Sequence, residues 1–297
     1  MLDELRTFLA VVEHKNFTKA AESVNLSQPS VSLHVKRLEE YFHTTLIGRS
    51  HKQKKIVVTP TGQLVYERAK HILHLVEELK SDVNSYHHVV EGSLRIGASF
   101  TIGEYCLPAF LGEFSKKYPE LTLHITIDNT TGICERMKKY ELDVGLVEGL
   151  VTSSHFSYEQ FAKDEMVLAV PNHHSLAGRT FSLDHVQNET WISREDGSGT
   201  QEYLKLFLAS NYIAPKNIIT FGSNYAVKEA VANGLGITLI SSDVTERAEV
   251  NGELATISLP QPYIRRLSMI LLKESLPSKA TEVFMEELKA YMKQKEG

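Results

Sequence analysis

Asn16 to Lys55 is rich in side chains that recognise other molecules and poor in pairs that would catalyse a reaction. Gln28, Ser30 and Ser32 fall within five residues, with Pro29 and Leu33 among them and Lys36 and Arg37 just beyond. Arg49 and the run His51-Lys52-Gln53-Lys54-Lys55 come next. Amides and hydroxyls match the edges of nucleic-acid bases, and cations match phosphates. No Asp or Glu lies between Glu22 and Glu39 or between Glu40 and Glu67, so neither group of donors has a local carboxylate. A cationic run is ordinarily just a solvated face. Beside a helix of donors it reads as a phosphate clamp.

Positioning these groups requires a particular set of elements. Leu5, Phe8, Leu9 and Val12 recur at helical spacing, and Phe17, Ala20, Ala21 and Val24 form the inner face of a second short helix. After the break at Asn25-Leu26-Ser27, Ser27 is a cap and Pro29 a first-turn residue of a third helix. Its inner row is Val31, Val35, Leu38 and Phe42, leaving Pro29, Leu33, Lys36 and Arg37 on the opposite face. Leu46–Arg49 and Ile56–Thr59 then read as short strands flanking the basic run. The pattern predicts a helix-turn-helix followed by a wing, with the third helix in the major groove of double-stranded DNA.

The order Leu5-x-x-Phe8, Asn16-Phe17-Thr18-x-Ala20-Ala21, Leu26-Ser27-Gln28-Pro29-Ser30-Val31-Ser32, Leu38-Glu39, Leu46-x-x-Arg49 and Thr59-Pro60-x-Gly62 resembles the LysR-type transcriptional regulators. The motifs are specific over about the first ninety residues, and length and layout agree over the rest. Ile47-Gly48 departs from the family, which usually has Phe before the arginine. The resemblance implies a DNA-binding regulator that works as a homodimer or homotetramer and answers to a small-molecule effector. Charge agrees: residues 1–60 carry nine Lys and Arg against six Asp and Glu, and the rest 23 against 31, within a net charge of −5 over 297 residues. A basic head is joined to an acidic body. With no signal-like leader and no apolar run of membrane length, the expectation is a cytoplasmic protein without a membrane partner.

From Thr59-Pro60 a long helix is expected to about His87, with Val65, Ala69, Ile72, Val76, Leu79 and Val83 in steps of four and three. That is a heptad seam suited to a two-fold partner. The chain thus reads as a winged head over 1–60, a linker helix over 61–88 and an effector domain over 89–297, α/β overall. Strands at Ser93–Ala98, Leu121–Ile127 and Asp143–Val147, separated by helices, predict a first lobe (about 92–162 and 265–297). A second lobe (about 163–264) has strands near Met166, Thr190–Ser193, Ile218–Phe221 and Ile237–Ile240. The chain crosses between lobes near Phe161–Asp164 and Pro260–Arg265, an architecture resembling periplasmic binding proteins.

A ligand of such a fold sits between lobes, at strand ends where helices begin. Ser99, Phe100 and Thr101 follow one strand, and Asn129, Thr130 and Thr131 another; Arg194 precedes Gly197-Ser198-Gly199-Thr200, and Ser223 and Asn224 open a further helix. Singly these are good helix caps; together they suit a small anion. Glu148 at a third strand end then needs a partner or lies outside the pocket. Ile102-Gly103-Glu104-Tyr105 with Leu107-Pro108 resembles the branch with sulfur-assimilation and carbon-fixation regulators, which puts a sulfur oxyanion or phosphorylated metabolite first. Alternatives are a redox-sensing regulator using Cys106 and Cys134 and a solute-binding protein. No catalytic site, metal site or cofactor is expected: Ser198 lacks a nucleophile elbow, and His87-His88 and His173-His174 lack ligand spacing.

Overall fold

Three helices and a two-stranded wing begin the computed structural model, which describes residues 1–49, 56–85, 90–149 and 153–296. They are α1 (Leu2–His14), α2 (Phe17–Ser23), α3 (Gln28–Tyr41), β1 (Ile47–Arg49) and β2 (Ile56–Val58). Asn16 caps α2 by accepting from the Thr18 and Lys19 amides, and Ser27 caps α3 by accepting from the Ser30 amide. Asn25 takes a left-handed φ of 54° in the turn between them, which Asn tolerates better than most residues. The core joins Leu5, Phe8, Val11, Ala20, Ala21, Val31, Val35, Leu38 and Leu46. Phe42 does not belong to the inner row: it follows the end of α3 as its C-cap and is 41% exposed.

The wing is fastened to α3 from below. Glu39 accepts from the amides of Leu46 and Ile47 at 2.8 and 3.1 Å. Thr59 accepts from the Gly62 amide at 2.9 Å, capping α4 (Pro60–Ser85). Gly62 is needed there, because a Cβ would sit 2.2 Å from the Leu46 carbonyl oxygen. Along α4 the apolar seam divides. Ala69 is buried in the core of the head and Val65 packs against it, whereas Ile72, Leu79 and Val83 are exposed. The first part of the seam is therefore spent within the head's own packing.

The body has two lobes hung on two shared strands. In the first, β3 (Gly92–Ser99) pairs in parallel with β4 (Leu121–Asp128) and β5 (Val144–Glu148). A π-helical turn, Ile102–Cys106, leads into α5 (Leu107–Lys117), and α6 (Thr130–Lys138) lies before β5. β6 (Phe156–Pro171) then runs 16 residues through both lobes. In the second lobe β6 is joined by β9 (Thr238–Ser241) on one edge and β10 (Leu254–Ile257) on the other. Next to β9 comes β7 (Thr190–Arg194), paired in parallel with β8 (Asn217–Phe221). Helices α7 (Leu183–Val186), α8 (Gly199–Ser210), α9 (Asn224–Ala232) and α10 (Ser242–Val250) complete this lobe. β11 (Tyr263–Leu272) returns antiparallel to β6 and β5, with a register shift at Leu267/Ser268. Finally α11 (Lys279–Glu296) packs Phe284, Leu288 and Met292 on the first lobe. The longer β6 and the strand β10 exceed the sequence expectation.

Candidate functional sites

On α3 the outward residues stand as the helical period requires. Gln28, Pro29, Leu33, Lys36 and Arg37 are exposed, and Ser30 and Ser32 half-buried. Gln28 donates to Ser32 at 2.9 Å, and the Ser27 and Ser30 hydroxyls lie 2.8 Å apart. These bonds hold the donors in place at the helix surface, where a base edge could exchange with them. Lys36 pairs with Glu40 at 3.4 Å, and Arg37 turns towards Glu4 of α1 at 3.6 Å. Both contacts are surface ion pairs of small worth, the first exposed on both sides and the second with Glu4 half-buried. Leu33, 46% exposed, offers an apolar contact of the kind thymine methyl groups accept. The Arg49 side chain and Lys52, Lys54 and Lys55 lie outside the described residues.

In the body, the strand ends of the two lobes meet. Asn129 accepts from the Gly132 amide as a cap of α6, and Thr130 donates to the Glu148 carbonyl at 2.7 Å. The Thr131 amide donates across to the Gly197 carbonyl at 3.1 Å. Gly199 permits the close approach of α8, since a Cβ there would lie 2.3 Å from the Glu148 carbonyl oxygen. Between α6 and α8 opens a cavity of about 550 Å³ lined by Thr130, Thr131, Cys134, Gly197, Ser198 and Lys205 among others. Ser198 is only 4% exposed and makes no side-chain cap bond to α8. Ser223 is a cap, accepting from the Ala226 amide.

Of the other expected contacts, Arg194, Asn224 and Thr101 are buried and bonded to one another. Arg194 is stacked on the Phe100 ring at 4.4 Å and held in a fork by Glu195, both N–H···O distances being 2.8 Å. It also donates to Asn224, which donates to Thr101 at 2.9 Å. Burial is the largest single influence on the Glu195 carboxyl and pushes it up, but the hydrogen bonds and charge of Arg194, a backbone hydrogen bond and the Asn129 amide together hold it below its usual range. Ser99 is buried, and its hydroxyl has no hydrogen-bond partner.

Glu148 has a partner that its own neighbourhood in sequence did not reveal. Arg265, fully buried, approaches Glu148 Oε2 to 3.2 Å without the alignment of a hydrogen bond. It donates to Thr101 at 2.9 Å and to Thr200 at 3.0 Å, and Thr200 in turn donates to Glu148 Oε1. Its Nε donates to Asp164, the residue opposite it in the β6–β11 register, and Ser241 donates to the second Asp164 oxygen. Arg265 thereby touches groups of both lobes from the strand they share. The available signal was the pair Arg265-Arg266 within the strand of the second crossing, Tyr263-Ile264-Arg265-Arg266-Leu267, since the period of two turns one of the two inward. A buried cation demands buried carboxylates.

Burial pushes both thiols up: Cys106, which contacts Asp243, lies far above the usual range, and Cys134 rises to about 11. Neither is a thiolate near neutrality, which weakens the redox alternative. Among the described residues no cluster of His, Cys, Asp and Glu could hold a metal, and no helix is long and apolar enough to cross a membrane.

Comparison with known proteins bears on both sites. Residues 2–63 match the bacterial regulatory helix-turn-helix protein, lysR family, and residues 87–293 the LysR substrate binding domain. The chain is 46% identical over 290 residues to the HTH-type transcriptional regulator CysL of Bacillus subtilis (strain 168), covering 97% of this chain and 96% of the relative. It is 33% identical over 299 residues to a probable RuBisCO transcriptional regulator of Phaeodactylum tricornutum, with coverage of 97% and 96%. Among solved structures, the Synechocystis PCC6803 CcmR regulatory domain in complex with 2-PG superposes with a TM-score of 0.64 at 29% identity. That match covers 68% of this chain and 98% of that domain. The chain belongs to the LysR family of helix-turn-helix transcriptional regulators, in the branch with sulfur-assimilation and carbon-fixation regulators.

Proposed function

We propose that this regulator reads promoter DNA as a dimer or tetramer and answers to a small anionic metabolite bound between the lobes of residues 89–297. The observation carrying the effector half is the convergence of α6 and α8 on one cleft. Two helix N-termini, one from each lobe, bring Thr130, Thr131 and Ser198 to the same cavity. The partial positive charge at helix N-termini favours an anion there. The likeness to a regulatory domain solved with 2-PG supports a small ligand in this fold. Sulfite, sulfate and phosphorylated metabolites are the first candidates, a reading supported by the likeness to CysL and to probable RuBisCO regulators.

In the DNA half, Gln28 and Ser32 read base edges, while Lys36, Arg37, Arg49, Lys52, Lys54 and Lys55 hold phosphates. The exposed stretch of α4, with Ile72, Leu75, Leu79 and Val83, is the face for the two-fold partner. Effector binding re-angles the paired heads. A thermal-shift screen of the whole protein with sulfite, sulfate, phosphate and 2-PG tests the sensor. Stabilisation by one of them at millimolar concentration is expected, and none by any of the four overturns the anion reading. A gel shift on DNA upstream of the protein's own gene tests the reader, and a failure to shift that DNA counts against self-regulation.

A further inference from the structure

Arg194 ends β7 three residues before Gly197, Ser198 and Gly199, which line the cavity, and each nitrogen of its guanidinium is engaged. Its side chain is fully buried, while that of Glu195 is 28% exposed. Nε and Nη2 donate to the two Glu195 oxygens, Nη1 donates to Asn224, and Nη2 also reaches the Gly222 carbonyl at 3.4 Å. The Glu195 carboxylate is held from the other lobe as well, because Asn129 donates to Oε1 at 3.2 Å. One carboxylate thus spans an arginine of the second lobe and an amide of the first.

We infer that Glu195 is an internal competitor for the effector's anionic group, occupying Arg194 and Asn129 until an outside oxyanion displaces it. This rests on the reading that an anion binds between the lobes. Glu195 is next to Arg194 in the chain, so its effective concentration at the guanidinium is high, on the order of millimolar or above for tethered groups. An effector must outbid that carboxylate, which sets a high concentration threshold for the response. Its partial exposure gives the displaced carboxylate somewhere to go: it swings into water, where its charge is solvated. The exchange puts one anion in place of another on Arg194, so the charge paired with the guanidinium is conserved.

The test is a calorimetric titration of the full chain with sulfate, and separately with sulfite, at constant ionic strength. Glu195→Gln keeps the shape of the arm and removes its charge. If Glu195 occupies Arg194 nine-tenths of the time, the variant binds the anion about tenfold more tightly than the wild type. Glu195→Asp keeps the charge but is one methylene too short for the fork, and gives a smaller gain. Because Asp preserves the carboxylate, it serves if the Gln variant does not fold. Adding Arg194→Met to Glu195→Gln abolishes the gain.

Equal anion affinity in wild type and variants overturns the competitor role while leaving the interlobe site standing. Weaker binding in both variants also overturns it, making Glu195 a supporting arm instead. No binding of either anion to any of the proteins overturns both the site and the competitor.

Discussion

The two candidate sites handle their polar groups in opposite ways. On α3 the donors sit at the surface and most touch near neighbours, Gln28 to Ser32, Lys36 to Glu40 and Ser27 to Ser30, with Arg37 reaching Glu4 of α1. In the body, Thr101, Glu148, Thr200 and Asn224 are buried and satisfy partners far away in the chain, mostly through Arg194 and Arg265. A surface that reads an external polymer loses little by keeping its groups wet. A sensor that closes on a small molecule must pair them when closed, because a buried orphan costs on the order of 1–3 kcal/mol. The outward polar residues of α3 are therefore left at the surface, while the buried ones of the body tie the two lobes to each other through Arg194 and Arg265.

That contrast breaks most visibly at the arginines. Arg265→Met strands Asp164 and Glu148 in the interior and should lower stability by about 3–5 kcal/mol, as measured by urea unfolding. Arg37→Ala removes only the surface pair with Glu4 and should change stability by less than about 1 kcal/mol. A mild Arg265 variant would mean that the buried network is more wet than its geometry indicates.

The head was readable in the sequence because its logic is local. The cap Ser27, Pro29 in the first turn and the spacing of Val31, Val35 and Leu38 all act within a few residues and appear as expected, and the structure adds Asn16 as a second cap of the same local kind. Phe42 escaped because the period says nothing about where a helix ends. In the body, the strand ends from Ser99 to Asn224 were legible as caps and donors. Their division into a cleft group (Thr130, Thr131, Ser198) and a buried group (Thr101, Glu148, Thr200) was not. That division depends on Arg265 and Asp164, a pair 101 positions apart whose meeting is set by strand register. Periodicity carries no information about register between distant strands, so the central ion pair was invisible until the fold was known.

The next comparison is between kinds of loss in the head. Gln28→Ala or Ser32→Ala should cost about 1–3 kcal/mol at one base position and leave other positions unchanged, visible as relaxed preference in a binding-site selection. Neither should alter the unfolding midpoint appreciably, since their mutual bond is exposed. Lys36→Ala should weaken binding to all sequences alike and reduce the slope of log affinity against log salt by about 0.9, one phosphate contact. A change of base preference on removing Lys36 would place that lysine in the groove.

The smallest expected effect concerns the thiols, and it separates the two regions by chemistry instead of stability. The head contains no cysteine; both lie in the first lobe, buried, with Cys134 at the edge of the cleft. A thiol whose ionisation is raised to about 11 is overwhelmingly protonated at pH 7, and its thiolate fraction rises roughly tenfold per pH unit below that value. Alkylation of Cys134 by iodoacetamide should therefore be slow at pH 7 and accelerate steadily with pH up to about 11. Cys106, shifted higher by burial and by Asp243, should react more slowly still. Peroxide at neutral pH should leave DNA affinity unchanged, because the nucleophilic form is scarce at both positions. Rapid oxidation of Cys134 together with altered DNA binding would restore the thiol as a signal. The anion and the oxidant would then be rival inputs to one cleft, distinguishable because sulfate would protect the thiol without consuming it.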